Sequence, residues 1–184
     1  MKGWCIWITG LPGSGKSTIA RKLKEKLNQL GVKSYIVSSD ALRRLATPNP
    51  KYTEDEREIV YGALVYAAKV LVENGVNVII DATGNRRKYR EKASKNIENF
   101  MEVYLKCPLE VCIKRESKRR ETYLAPRGIY KKAFTGESKT VPGIGVPYEE
   151  PINPEVTIET DKVEVNEAVE IILRAIREKF KLQV

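Results

Sequence analysis

Eight residues near the amino terminus, Gly10-Leu11-Pro12-Gly13-Ser14-Gly15-Lys16-Ser17, follow the spacing G-x-x-x-x-G-K-S/T, with Thr18 immediately after. Each residue type has a physical reason to be there. The glycines let the chain fold tightly enough for successive N–H groups to face one anion. A helix beginning at the end of the loop adds the positive end of its dipole. An ammonium at Lys16 reaches the β- and γ-phosphates of a nucleotide, and a hydroxyl at Ser17 is a ligand for Mg²⁺. The spacing therefore predicts a site for ATP and Mg²⁺, and chemistry at the terminal phosphate.

Two carboxylates follow apolar runs and belong with this loop. Asp81 comes directly after Val76 to Ile80, the usual place for an acid that orients Mg²⁺ through water. Asp40 comes after Ser34 to Val37 and three residues before Arg43. It is placed either to take a proton from an acceptor hydroxyl or to hold the metal, and the competing role is a helix N-cap. For Asp81 the competing role is a cap or turn residue. The candidate metal set is Ser17, Asp40 and Asp81, and the candidate catalytic pair is Lys16 and Asp40. The chain has no histidine, which removes serine–histidine triads, cysteine–histidine pairs and histidine-ligated zinc. Asp81-Ala82-Thr83-Gly84 has the D-x-x-G form of GTPase switches, but an N/T-K-x-D guanine motif is absent, which disfavours a switch protein.

Basic residues complete the set. Arg86, Arg87 and Arg90 lie just past Asp81, where an acceptor's anionic group would sit. Arg115 leads into a basic stretch with Arg119, Arg120, Arg127, Lys131 and Lys132. Cations on a segment that closes over a transferring phosphoryl group neutralise its spreading charge and exclude water. The competing reading is a solvated basic surface. The net charge of +9 fits either nucleic acid, an anionic metabolite or a lysine-rich exterior.

These residues need a scaffold. With 42% hydrophobic and 31% charged residues, the 184-residue chain has a globular balance and suits one domain, residues 1–184. Apolar runs at 2–9, 34–37, 76–80, 100–105 and 156–159 predict strands. Helical spacing predicts helices at 17–30, 53–74, 86–98, 109–118 and 165–180. Thr53 with Glu56 has the spacing of a capping box. Alternating strands and helices predict an α/β fold: a three-layer P-loop parallel sheet with helices on both faces and ligands at the carboxyl ends of the strands. Residues 119–154 are too long for an ordinary connection and are expected to form a basic lid. Cys5, Cys107 and Cys112 sit in apolar runs and are expected as buried thiols. No apolar run reaches 18 residues, so no membrane span and a cytoplasmic location are expected.

The wording of the second half is more specific. Val103-Tyr104-Leu105-Lys106-Cys107-Pro108-Leu109-Glu110-Val111-Cys112 is followed by Arg115-Glu116, Gly128-Ile129-Tyr130-Lys131-Lys132-Ala133 and Pro142-Gly143-Ile144-Gly145-Val146-Pro147-Tyr148-Glu149. Pro151, Pro154-Glu155 and Thr160 end the series. In that order these words resemble the adenylyl-sulfate kinase family, whose lid carries a G-L-Y-K-K-A stretch and an F-T-G-I-x-x-P-Y-E stretch. The resemblance implies phosphorylation of the 3′-hydroxyl of adenylyl sulfate by MgATP, within sulfate activation. It implies nucleotide contacts from the loop and Arg115, and acceptor contacts from Arg43, Tyr52, Arg57, Lys131 and Ile144. Homodimers occur in the resembled family.

The middle of the chain departs from that family. Ser38 stands where the first acid of D-G-D-x-x-R is expected, while Asp40 and Arg43 are kept. Tyr52 replaces a phenylalanine that stacks on the acceptor adenine. Val60 and Ala63 replace an asparagine and an arginine, Asp81 to Asn85 replaces an I-S-P segment, and roughly 119–126 is extra. The run Asp81-Ala82-Thr83-Gly84-Asn85-Arg86-Arg87-x-x-Arg90 instead resembles polynucleotide and transfer-RNA kinases. The alternative acceptor is therefore RNA or a small metabolite held by Arg86 and Arg90.

Overall fold

The structure, a computed structural model, describes residues 2–119 and 124–182. Five strands form one parallel sheet: β1 (Cys5–Thr9), β2 (Ser34–Ser38), β3 (Asn77–Asp81), β4 (Phe100–Lys106) and β5 (Val156–Glu159). Their order is β2-β3-β1-β4-β5. The register sets Ile8 beside Asp81 and Asp81 beside Ser38, so the first three carboxyl ends lie level. Everything that follows these ends in sequence, namely the phosphate loop, Asp40 and residues 82–86, is thereby delivered to one edge of the sheet.

Among the described residues seven helices surround the sheet: α1 (Lys16–Gln29), α2 (Ser39–Ala46), α3 (Glu54–Glu73), α4 (Arg87–Asn96), α5 (Leu109–Lys118), α6 (Ile129–Phe134) and α7 (Val165–Phe180). Side chains alternate across β1. Ile6 and Ile8 meet Ile19, Leu23 and Leu27 of α1 and Ile172, Leu173 and Ile176 of α7. Cys5 and Trp7 meet Tyr61, Leu64, Val65 and Ala68 of α3 and Tyr89 and Ala93 of α4. A strand covered on both faces has no polar side, which is why β1 reads as an unbroken apolar run. Fully burying each such Leu or Ile contributes about 1.5–3 kcal/mol. At the far end of β1, Trp4 stacks on Phe180 of α7 with ring centroids 5.6 Å apart. Cys5, Cys107 and Cys112 are buried and free, as expected. Among the described residues no helix is long and apolar enough to cross a membrane.

Three local departures from the sequence expectation have physical causes. The first strand starts at Cys5, because Gly3 donates to Val72 O at the end of α3 and Trp4 donates to the Asn77 side chain. A helix absent from the sequence expectation, α2, follows β2 at once. Its N-cap is Ser38, whose hydroxyl accepts from Ala41 N, so Asp40 is not the cap and its carboxylate is left for other work. Thr53 does cap α3, accepting from Glu56 N at 3.3 Å. The return arm of the capping box misses Thr53, however, and the Glu56 carboxylate reaches Lys51 N at 2.6 Å and Tyr52 N at 3.2 Å.

Within the expected lid, residues 120–123, Arg120 among them, lie outside the described residues. The remainder contains α6, a tight turn in which Gly143, Ile144 and Gly145 bond back to Val146 or Val141, and an extended run to Pro154. A small cluster of Cys107, Cys112, Tyr130 and Val141 packs α5, α6 and that turn together.

Candidate active site

A cavity of about 540 Å³ opens at the carboxyl edge of the sheet. Its floor is the loop between β1 and α1. Gly13 has φ +85° and lies so close to α5 that a Cβ there would stand 2.5 Å from Cys112 O; no other residue type fits. Gly15 has φ +101° and turns the chain into α1, the left-handed geometry glycine permits without cost. Lys16 is buried, and its ammonium donates to the carbonyls of Gly10 at 3.0 Å and Leu11 at 2.9 Å. Burial holds its pKa below the usual lysine value, opposed by the Asp81 and Asp40 carboxylates. The Ser14 hydroxyl is buried and finds no partner among the described residues.

The walls carry the rest. Gly13, Gly15, Lys16, Ser17, Thr18, Asp40, Arg43, Tyr52, Arg57, Asp81 and Arg115 all line the cavity, as does Pro12. Asp40 is pushed above the ordinary carboxylate range, first by burial and then by the Asp81 carboxylate, against the pull of Lys16 and Arg43. Two acids that feel each other beside a hydroxyl form an oxygen donor set suited to a divalent cation. No group of three or more acids, cysteines or histidines gathers among the described residues. That is compatible with Mg²⁺, which takes one or two carboxylates and completes its shell with phosphate and water.

Tyr52 is the strained member. Its φ of 56° is left-handed, costly for a bulky side chain. It is held there from both sides: Glu56 takes its N–H, and Arg57 Nε donates to its carbonyl at 3.1 Å. The ring lies under the Arg43 guanidinium at 4.5 Å and near that of Arg57 at 5.9 Å. Arg43 is itself ion-paired with Glu56. One carboxylate therefore fixes the Tyr52 backbone and the arginine over its ring.

Arg57 goes further than expected. Besides Tyr52 it donates to Asn85 Oδ1 at 2.9 Å and to Thr140 O at 2.6 Å, and burial lowers its pKa. Asn85 is buried and its side-chain amide donates to Pro147 O at 3.1 Å, while its backbone carbonyl accepts from Glu149 N at 2.7 Å. This knot ties α3, residues 82–86 and the 140–149 segment into one wall. Beneath it, Trp7 Nε1 donates to Ala82 O at 2.9 Å, Thr9 Oγ1 to Thr83 O at 2.6 Å, and Gly84 N to the Tyr61 hydroxyl at 3.0 Å.

The remaining predicted residues lie elsewhere. Gly10, Leu11 and Ser14 belong to the loop without lining the cavity. Arg90 is buried with its guanidinium bonded to Glu102, Gly84 O and Glu149 O. Arg86 pairs with Glu149 at 3.0 Å. The basic run after Asp81 is thus occupied within the protein, holding residues 149–150 to α4. Lys131 is exposed and outside the lining, and its neighbour Lys132 lines the cavity instead. Ile144 and Leu11 line a second cavity of about 880 Å³ on the other side of the 142–148 turn. Arg115 bonds Thr160 through Oγ1 at 3.2 Å and O at 2.6 Å, joining α5 to the end of β5. Sequence reasoning missed Glu56, Asn85 and Glu116. Glu56 carried a signal in its spacing from Thr53, and Glu116 and Asn85 stood within quoted runs without a role of their own.

The comparisons with known proteins agree with this geometry. Residues 2–159 match the family described as adenylylsulphate kinase. A probable adenylyl-sulfate kinase of Pyrococcus abyssi is 39% identical over 97% of both chains. An adenylyl-sulfate kinase of Thermodesulfovibrio yellowstonii is 40% identical over 98% of this chain and 87% of its own. The structure of the Mycobacterium tuberculosis APS kinase in complex with AMPPNP and APS superposes with a TM-score of 0.85 at 28% identity, covering 96% of this chain and 98% of that one. A shikimate kinase of Acinetobacter baumannii, 18% identical with a TM-score of 0.58, shares the fold alone. A phosphate-loop cavity walled by Asp40, Arg43 and Tyr52, together with these matches along nearly the whole chain, places the protein in the adenylyl-sulfate kinase family.

Proposed function

We propose that the protein transfers the γ-phosphate of ATP to the 3′-hydroxyl of adenylyl sulfate, yielding 3′-phosphoadenylyl sulfate and ADP. The observation that carries the reading is the single cavity: the phosphate loop forms its floor, and Asp40, Arg43, Tyr52 and Arg57 form the facing wall. The volume, about 540 Å³, lies within the range of small-molecule sites.

Lys16 and the loop N–H groups hold the β- and γ-phosphates. Ser17, with Asp81 and Asp40, supplies the oxygens that would hold Mg²⁺. When bound, that ion neutralises charge on the β- and γ-phosphate oxygens. Asp40 stands beside the loop, and its raised pKa suits it to accept a proton. The acceptor oxygen bonds to the γ-phosphorus, the bond from that phosphorus to the β–γ bridging oxygen breaks, and the hydroxyl proton passes to the Asp40 carboxylate. Arg43 and Arg57 face the acceptor's anionic groups, and the Tyr52 ring offers a surface on which adenine stacks. Arg86, Lys131 and Ile144, which lie outside the cavity lining, take no part in this assignment. Positioning and charge, more than covalent chemistry, lower the barrier.

The polynucleotide alternative loses its support, because Arg86 and Arg90 are already paired with Glu149 and Glu102. The test is direct: purified protein, ATP, Mg²⁺ and adenylyl sulfate, with the product resolved by ion-exchange chromatography and mass spectrometry. Formation of 3′-phosphoadenylyl sulfate is expected. Absence of that product, with label from ATP appearing in an RNA oligonucleotide supplied in parallel, overturns the reading.

A further inference from the structure

Among the described residues three cations reach the cavity from the lid side, and they differ in how firmly they are held. Arg115 is committed to Thr160 at 2.6 and 3.2 Å. Lys132 stands on the exposed helix α6. Arg119 is the slack one. Its side chain is only 28% exposed, and among the described residues its Nε is buried without a partner and its charged end makes two long contacts. Nη2 is 3.4 Å from Pro126 O and 3.9 Å from Glu116 Oε1. Charge-assisted bonds from a guanidinium are normally about 2.7–2.9 Å, so neither contact satisfies it. A partly dry guanidinium with an idle N–H is costly, and what it lacks is an anionic oxygen.

The place of Arg119 in the chain explains how it came to be there. It opens the extra stretch that interrupts the family's lid wording between Lys118 and Gly128. Glu116 is buried at the base of that stretch and accepts from Gly128 N at 2.7 Å. The same carboxylate lies nearest to the Arg119 head, so the two ends of the stretch converge on one anion and α5 and α6 keep their positions. Arg119 lines the same cavity as Lys16, Ser17 and Asp40. Its charge is felt at both Lys16 and Asp40.

We propose that Arg119 is a catalytic residue whose guanidinium binds the oxygens of the transferring phosphoryl group. It rests on the donor half of the function proposed above and not on the identity of the acceptor. A planar fork of donors suits phosphate oxygens bidentately, which an ammonium does not reproduce. A cation that meets charge developing in the transition state raises kcat rather than ground-state affinity.

The experiment uses the full chain with Arg119→Ala and Arg119→Lys. Steady-state rates are measured with ATP, Mg²⁺ and adenylyl sulfate. Binding of a non-hydrolysable ATP analogue, and of ADP with aluminium fluoride as a mimic of the transferring group, is titrated separately. Arg119→Ala is expected to lower kcat about 100-fold and to weaken the ADP–aluminium fluoride complex by a similar factor. Both KM values and the affinity for the ATP analogue should move by less than about threefold, and Arg119→Lys should recover part of the loss. A kcat within about threefold of the wild type, or an equal loss of affinity for analogue and mimic, overturns the proposal. Wild-type protein inactive on adenylyl sulfate counts against the proposed acceptor alone. Arg119 is then decided by the two titrations, which need no acceptor.

Discussion

The floor and the wall of the cavity are built in opposite ways. The floor is one continuous loop shaped by three positive-φ glycines, Gly10, Gly13 and Gly15, and by Lys16. The wall is assembled by side chains from segments far apart in sequence: Arg43 with Glu56, Arg57 with Asn85 and Thr140, Asn85 with Pro147. A local device tolerates change elsewhere, because its geometry is set within a few residues. A network does not, because each member leaves another buried polar group unpaired when it is removed.

Four substitutions sharpen or break this contrast. Lys16→Ala touches only the floor and should have the largest effect on rate, a fall in kcat of at least about 100-fold. Its melting temperature should stay near the wild-type value by circular dichroism. A large drop in melting temperature would mean that the floor is not the self-contained unit described. Arg57→Ala should do the reverse. It strands Asn85 and the Thr140 carbonyl, and should cost about 3 kcal/mol of stability in chemical denaturation. KM for adenylyl sulfate should rise with it. If stability is unchanged, the knot does not hold the wall together.

Asp40 joins the two regions, and its effect runs through pH. Its pKa is raised on folding, so the folded state holds the proton more tightly than the unfolded chain. The resulting stability is complete below the ordinary carboxylate value and is lost as pH rises through the raised one. In metal-free protein with chelator present, Asp40→Asn should therefore melt a few degrees higher than wild type at neutral pH, at about 2–4 °C per kcal/mol. The difference should vanish toward pH about 4, where the native carboxyl is also neutral. An unchanged or lower melting temperature at neutral pH would mean that the acid is not under strain. The smallest effect is expected outside both regions. Lys162→Ala breaks only an exposed pair with Glu159 and should change stability by less than about 0.5 kcal/mol.

The same contrast explains what the sequence discloses. The phosphate loop is legible because spacing alone specifies it. The sheet and the helices α5 and α7 are legible because burial on one or both faces writes a period into the residues. The short helix α2 was missed: eight residues between a strand and a proline-rich turn leave little room for a period. Arg43, Tyr52 and Arg57, read from their resemblance to a known pattern, and Asp81, read from its place after an apolar run, all line the cavity. Arg86 and Arg90 were not, since nothing in a run of arginines says which are already paired, and their partners Glu149 and Glu102 lie 63 and 12 residues away. Asn85 gave no sign of its role, because an asparagine that satisfies three distant groups looks like any loop residue until the chain is folded.

The two tryptophans of the chain, Trp4 just before β1 and Trp7 at its middle, face different surroundings. Trp7 hydrogen-bonds the segment just behind Asp81, whereas Trp4 stacks on a ring of the last helix. Tryptophan emission from the protein therefore has two sources, one reporting on the edge of the sheet that carries the cavity and the other on the docking of α7. Replacing either with phenylalanine leaves a single tryptophan, excited selectively over the tyrosines at the red edge of the absorption band. Nucleotide arrival and helix release can then be followed separately without attaching any dye.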